Sequence, residues 1–318
     1  MTCLCCNGET KRFGRFQNRN RLVQRYRCVR CGKTFSEAQP LDGLRTDHKK
    51  VVQIVNMLVE GISIRATARL AGVHRDTVLR VLEAVGEKCA HYHDKIMRNL
   101  TCKVLQVDEI WAFCQRKEVN VPAELKGKGI MGDLWTWVAI DANTKLIPSW
   151  HVGNRDALAA SRFIDDLKGR LTSRVQLTSD GLTIYAKAIE DSFGDGIDYA
   201  MLVKLYGKEL TPETRYSPPV CIGARKTRIM GRPNKNLVST SYVERSNLSM
   251  RMGMRRFTRL TNAFSKKAQN HKHMVALYFM HYNFCRIHQT LRVTPAMEAG
   301  VANHIWTIEE LLEAAANR

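Results

Sequence analysis

The fold is decided by the stretch KVLQVDEIWAF at residues 103–113, an apolar run that suits a central strand and carries a carboxylate near its middle. Two more strand-like runs follow it, LWTWVAID at 134–141 and LIPSWHVG at 146–153. A run with helical spacing, DALAASRFIDDLKGRL at 156–171, then precedes the strand-like VQLTSDG at 175–181. This order of a strand meander, a helix and another strand predicts a mixed α/β sheet.

Three acids in this region are candidate metal ligands. Asp108 lies in the apolar strand, where a free carboxylate is costly unless it binds a metal or a partner. Asp180 comes at the end of the strand-like VQLTSDG, before a glycine turn, at a sheet edge where loops gather. Glu244 opens the helical run YVERSNLSMRM and is the only acid between Glu213 and Glu298, an interval with sixteen Lys/Arg. Together they predict a site for two Mg²⁺ ions that supports in-line displacement at phosphorus.

The same acids have a simpler interpretation, in which they form ordinary caps and salt bridges. Rival acids also lie nearby, namely Glu109, Asp133 and Asp141. Because neighbouring side chains of a strand alternate, Glu109 is expected to point away from the face that carries Asp108. We therefore rank it below Asp108 as a ligand.

Four cysteines near the N-terminus form two pairs, each with two residues between its members: Cys3 with Cys6, and Cys28 with Cys31. The pairs predict a zinc ribbon, in which four thiolates bind one structural Zn²⁺ and the metal supplies most of the folding energy. Cys5 is an alternative to Cys6 as a ligand, and four unconnected thiols are the other interpretation. The segment is too poor in aliphatic residues to build a core of its own, and its many cations predict contact with phosphate.

A helix-turn-helix is predicted by SIRATARLAGVHRDTVLRVL at residues 63–82, with Ser63 as the N-cap and Gly72 at the turn. The second helix would present Arg75, Thr77 and Arg80 outward, a set suited to base edges and phosphates. An ordinary helical hairpin is the alternative.

The charge distribution indicates a phosphate-bearing partner. The 318 residues carry a formal net charge of +20, with 19 Lys/Arg against 9 Asp/Glu in residues 1–100, 12 against 14 in 101–200 and 19 against 7 in 201–318. Two basic flanks around a near-neutral middle favour double-stranded DNA held by the ends, with chemistry between them; a basic but inert surface is the alternative. No signal peptide or membrane span is recognisable, so we expect a cytoplasmic, nucleoid-associated protein.

The predicted layout has four parts. A zinc ribbon occupies residues 1–38 and a helix-turn-helix domain 45–95. A mixed-sheet catalytic domain covers 101–290, with a basic loop or insertion at about 204–240, and a helical tail covers 291–318. Within the catalytic domain, helical spacing predicts two late helices, Tyr242–Arg259 and Ser265–Ile287.

These motifs resemble the insertion-sequence-one family of DDE transposases. The resemblance is carried by VDEIWAF, LWTWVAID, SDG, YVERSNLSMRMGMRRFTRLTNAFSKKAQNH, YNFCRIHQTL and the zinc knuckle RYRCVRCGKTF. It implies an RNase H-like catalytic domain with Asp108, Asp180 and Glu244 as metal ligands. It also implies that Arg251 contacts DNA, and we expect Asn247 and Arg255 to do so as well.

The implied function is transposition of an insertion sequence, in which the protein binds the element's terminal repeats and target DNA as at least a dimer. One departure is the separation of 63 residues between Asp180 and Glu244, longer than the family leads us to expect. The tail RIHQTLRVTPAMEAG is also similar to other DDE transposases and integrases. Two rivals are a zinc-ribbon transcription regulator, which would leave the acids idle, and an RNase H-like nuclease without strand transfer.

Overall fold

The N-terminal unit is a small antiparallel sheet. The computed structural model describes residues 3, 5–6, 8–18, 21–36, 44, 46–126, 131–207, 220–258 and 261–316. In this first part the strands pair in chain order: β1 (Thr10–Asn18), β2 (Arg21–Cys28) and β3 (Thr34–Ser36). Only Cys3, Val23 and Cys28 are buried among its described residues, as expected for a segment that cannot build its own core.

Three helices follow in the described residues: α1 (His48–Val59), α2 (Ile64–Ala71) and α3 (Arg75–Ile96). The second and third give the predicted arrangement of a helix, a turn and a helix. Ser63 caps α2 by accepting the amide N–H of Ala66 at 3.2 Å. Gly72 ends α2 with φ 65°, a left-handed conformation that favours glycine. At 22 residues, α3 continues far beyond the turn.

The large sheet is mixed and contains six of the described strands: β4 (Val104–Cys114), β5 (Gly132–Asp141), β6 (Trp150–Gly153), β7 (Val175–Ser179), β8 (Ile197–Tyr206) and β9 (Cys221–Met230). Their spatial order is β6-β5-β4-β7-β8-β9, with β4, β7 and β8 parallel to one another. Two helices make the parallel connections: α4 (Ala157–Lys168) and α5 (Ile184–Phe193). The predicted order of a meander, a helix and a strand is confirmed, and the sheet is consistent with an RNase H-like fold.

The prediction was a basic loop or insertion at about 204–240, and the loop alternative is wrong for much of the described part, whereas the insertion stays a prediction. Strand β8 runs to Tyr206, and β9 pairs with it in antiparallel register. The strand escaped detection because nearly all of β9 is exposed, so burial imposes no alternation on its sequence. Residues 208–219 of the predicted loop lie outside the described residues.

Four α-helices lie in the described residues after β9: α6 (Ser241–Gly253), α7 (Ala268–Phe284), α8 (Pro295–Glu298) and α9 (Ile308–Ala316). Both predicted late helices exist but are shorter than expected. The chain leaves α6 at Met254, whose backbone is extended with φ −127° and ψ 110°. Arg259, the predicted end of that helix, lies outside the described residues.

One hydrophobic core joins the helical front to the sheet. Val78 and Leu82 of α3 belong to the same buried cluster as Met274 and Leu277 of α7. Because α7 is buried on nearly all sides, it acts as the central helix on which α3 and α9 pack.

The domain boundaries stay predictions. No helix in the described ranges is both long enough and apolar enough to cross a membrane.

Candidate active site

Strand register brings the first two predicted acids together. Gln106 of β4 pairs in parallel with Thr178 of β7. Asp108 and Asp180 each follow two residues later, so the pleat places Asp108, in the middle of β4, beside Asp180, just past the C-terminal end of β7. Asp180 comes directly after the last residue of β7, and its Oδ1 accepts the amide N–H of Leu182 at 2.9 Å.

Glu109 joins this pair, although the sequence analysis ranked it below Asp108. Oxygens of Asp108, Glu109 and Asp180 all lie within 4.8 Å of one another. The alternation itself holds, since Glu109 turns to the other face, where Arg155 Nε donates to it at 2.8 Å and Tyr185 donates at 3.1 Å. Because Asp180 lies past the end of β7, carboxylates from both faces of β4 reach it there. The lower rank of Glu109 is therefore not supported.

The three carboxylates repel one another in a partly dry site. Burial, followed by the charge of Glu109, raises the pKa of Asp108 to about 7. Burial and the charge of Asp180 also raise the pKa of Glu109, despite its ion pair with Arg155. A divalent cation would relieve this repulsion, and a donor set made only of carboxylate oxygens suits Mg²⁺. These residues therefore fit the predicted metal.

Glu244 approaches from the helix side but stands outside the tight group. It lies in the first turn of α6, where Thr240 Oγ1 donates to its Oε1 at 2.7 Å and Lys204 Nζ donates to its Oε2. Its charge is one of the smaller contributions that raise the pKa of Asp108, after burial and the charge of Glu109. The acid that is isolated in the sequence thus has a cationic partner from β8.

Two amide side chains fix α6 on β4. The Oε1 of Gln106 accepts the amide N–H groups of Tyr242 at 2.8 Å and Val243 at 3.1 Å, which holds the start of the helix. One helical turn after Glu244, Asn247 Nδ2 donates to Asp108 Oδ2 at 2.8 Å. Its buried Oδ1 has no hydrogen-bond partner among the described residues. The structure thus places Asn247, predicted to contact DNA, on Asp108.

Sequence reasoning missed Gln106, Arg155 and Tyr185. A signal existed only for Gln106, a polar residue two positions before Asp108 in an otherwise apolar strand, hence on the same face. Arg155 and Tyr185 come from other elements and meet Glu109 only in the folded chain.

The four paired cysteines converge as predicted. Sγ atoms of Cys3 and Cys31 lie 3.6 Å apart and those of Cys6 and Cys28 lie 3.5 Å apart. Four sulfurs at about 2.3 Å from one Zn²⁺ would be separated by roughly 3.8 Å, so the spacing fits tetrahedral zinc. Cys5 is exposed and stands outside this cluster, which favours Cys6 as the ligand.

Backbone amides favour the thiolate form of the cysteines. The N–H of Cys5 points at Cys3 Sγ at 3.4 Å, and the N–H of Cys31 points at Cys28 Sγ at the same distance. The first of these hydrogen bonds lowers the pKa of Cys3 to about 6, and the second lowers that of Cys28. The hydrogen bond with Cys28 and burial raise the pKa of Cys6, and burial and the hydrogen bond with Cys28 raise that of Cys31. The backbone therefore favours the thiolate, the form that binds zinc, at Cys3 and Cys28.

The remaining predicted DNA contacts are dispersed. Arg75 and Arg80 are exposed at the start of α3, and Thr77 is half-buried in its first turn. Arg251 is partly buried on α6, one turn beyond Asn247, and Arg255 is exposed just after that helix. Arg75, Arg80 and Arg255 line one common cleft, separate from the acids.

No protein-family model matches the sequence, and no curated protein matches it. Among solved structures, the cryo-EM structure of the piggyBac transposase synaptic complex with hairpin DNA is similar over 85% of this chain and 70% of that chain. The TM-score is 0.38 and the identity is 10%. At this level of similarity, function has to be inferred from the residues of the site itself.

Proposed function

We propose that the protein is a DNA transposase of the insertion-sequence-one kind, with Asp108, Asp180 and Glu244 as the ligands of two Mg²⁺ ions. The observation that carries this proposal is the meeting of Asp108, in the middle of β4, with Asp180, just past the end of the parallel strand β7, beside a helix that carries Glu244 in its first turn. Two Asp residues on neighbouring parallel strands with an acid on an adjoining helix suit two-metal phosphoryl transfer.

Each residue has a distinct task in this scheme. Magnesium, when bound, would activate the attacking water or DNA 3′-hydroxyl and stabilise the leaving oxygen. Asp108 and Asp180 bind the metal from the sheet, and Asn247 orients Asp108 through its 2.8 Å hydrogen bond. Glu109, fixed by Arg155 and Tyr185, adds negative charge from the opposite face of β4.

Glu244 has to exchange partners to act as a ligand. In the structure its carboxylate is held by Lys204 and Thr240, and roughly a third of each side chain of the Lys204–Glu244 pair is exposed. An exposed ion pair is worth little, about 0 to 1 kcal/mol, so a divalent cation competes easily with Lys204. The freed ammonium would then lie beside the site, where it suits a DNA phosphate.

The front end supplies DNA binding in this proposal. The zinc ribbon, with cations on its exposed strands, contacts phosphates, and the exposed start of α3 reads the element's terminal repeats. Two ends have to be synapsed, so we propose that the active form is at least a dimer.

The test uses the zinc-loaded protein, Mg²⁺ and the DNA that flanks its own gene. We expect nicks at the ends of the terminal repeats and joining of the released 3′ ends to a target duplex, with both products lost in Asp180→Asn. Binding without cleavage would instead favour a transcription regulator. Cleavage without preference for ends and without joining would favour a nuclease.

A further inference from the structure

A basic surface lies away from the acids, in an open cleft of about 1190 Å³ between the helical front and the residues that follow α6. One wall carries Arg65 of α2 with Arg75 and Arg80 of α3; the opposite wall carries Arg255, Arg256 and Lys267. The acids in the lining are Asp76 and Glu83, so positive charge predominates on both walls. Such a cleft suits a polyanion rather than an apolar ligand.

The two walls are held in fixed register by close helix packing. A Cβ on Gly86, in the middle of α3, would lie 2.5 Å from the Cβ of His273 on α7, so only glycine allows this approach. Nearer the cleft, a Cβ on Gly61 would lie 3.0 Å from the carbonyl oxygen of Gly253. Because glycine inside a helix costs about 1 kcal/mol relative to alanine, Gly86 is explained by this contact. The start of α3 is therefore rigidly tied to the catalytic unit.

Arg256 is the unusual member of the cleft. Its Nη1 donates to Ser265 Oγ at 3.2 Å, and no carboxylate among the described residues forms an ion pair with it. Burial lowers the pKa of Arg256 to about 10, so the guanidinium stays charged at neutral pH. A partly buried cation without an acid is costly unless an anion reaches it. Since it lines the cleft, that anion would arrive there.

We propose that both walls of this cleft grip one DNA duplex, with Arg256 and Lys267 binding its backbone phosphates while Arg75 and Arg80 contact the same duplex. This inference rests on the proposed function and extends it, because it assigns the catalytic unit its own DNA-anchoring residues. Because α3 and the wall with Arg256 and Lys267 then bind the same duplex, they hold it in a fixed orientation relative to the acids.

The test measures binding of a fluorescent duplex of about 30 base pairs, roughly three helical turns, to full-length zinc-loaded protein across a range of salt concentrations. Each lost phosphate contact lowers the slope of log affinity against log salt by about 0.9. Arg256→Gln and Lys267→Gln should each show this loss, so that a variant with wild-type affinity at 1 M salt binds about eightfold more weakly than the wild type at 0.1 M. Lys95→Gln is the matched control, since it removes one exposed cation about 30 Å further along α3.

Stoichiometry and stability complete the test. We expect one duplex per chain and a further drop in slope when Arg75→Ala is combined with Lys267→Gln. Wild-type salt slopes in both cleft variants would overturn the inference. So would the binding of two duplexes per chain, one weakened only by Arg75→Ala and the other only by Lys267→Gln. If Arg256→Gln lowers the midpoint of thermal unfolding, the salt slope of Lys267→Gln decides whether the inference holds, because Lys267 is exposed. Failure of the wild-type protein to bind any duplex would overturn the proposed function itself.

Discussion

The two candidate metal sites follow opposite designs. The cysteine cluster lies in a unit whose described residues bury almost nothing, and its four sulfurs already have nearly tetrahedral spacing. The carboxylate cluster lies on a sheet with an extensive apolar core, and its ligands repel one another. In the ribbon a bound metal would replace a core, whereas in the sheet the apolar core holds carboxylates together that would otherwise separate.

The contrast predicts that variants of the two sites change different properties, stability in the ribbon and activity in the sheet. Loss of a ribbon ligand should unfold the ribbon and leave the sheet intact. Loss of a carboxylate should leave the fold intact and stop the chemistry, because neutralising a buried, repelling acid removes an unfavourable interaction.

The largest expected effect is therefore at the ribbon. Cys28→Ser should lower the zinc content from about one ion per chain to near zero, because a structural Zn²⁺ site needs all four ligands. Zinc content and binding to the element's ends are the measurements. Cys5→Ser is the control, since Cys5 is exposed and lies outside the cluster, and it should retain zinc. Full zinc retention in Cys28→Ser would remove the ribbon from the account.

The next effect concerns the helix that covers the acids. Asn247→Ala removes the hydrogen bond to Asp108, so the Mg²⁺ concentration for half-maximal cleavage should rise about 10- to 100-fold, as for other groups that orient metal ligands. Ser249→Ala, on the same helix, should leave that concentration unchanged. An unaltered Mg²⁺ requirement in Asn247→Ala would mean that its amide does not orient Asp108.

The smallest expected effect is on a buried histidine of α3. Burial lowers the pKa of His93 to about 4, while an unfolded histidine titrates near about 6.5. As pH falls between these values, the unfolded chain takes up a proton that the folded chain does not, so the free energy of unfolding decreases towards acid. This histidine contributes about 1.4 kcal/mol per pH unit to that slope.

Urea unfolding at several pH values checks this effect. His93→Asn should flatten the pH dependence by that amount, whereas His91→Asn, exposed on the same helix, should not. An equally steep dependence in His93→Asn would show that His93 is not the neutral buried group.

Local patterns foretold part of the structure. The apolar strand of Asp108, the turn at Gly72 and the cysteine pairs have signals that lie within a few residues, and all three were predicted. Glu109 was ranked too low because the alternation rule considers β4 alone. Asp180 lies past the end of β7, where carboxylates from both faces of β4 reach it. Strand β9 was missed because exposure leaves it no periodicity. The anchoring of α6 by Gln106 and the contact of Gly86 with α7 depend on distant segments, which no local pattern encodes.

The central claim is that Glu244 completes the metal site, and the most direct measurement compares cleavage and binding by Glu244→Gln and Glu109→Gln on the same end-containing duplex. Asp191→Asn, an exposed carboxylate paired with Lys187, is the control. The account predicts that Glu244→Gln loses Mg²⁺-dependent cleavage by orders of magnitude while DNA affinity stays unchanged or rises slightly, with a smaller loss for Glu109→Gln. Near-normal cleavage by Glu244→Gln together with complete loss in Glu109→Gln would contradict it and make Glu109 the third ligand.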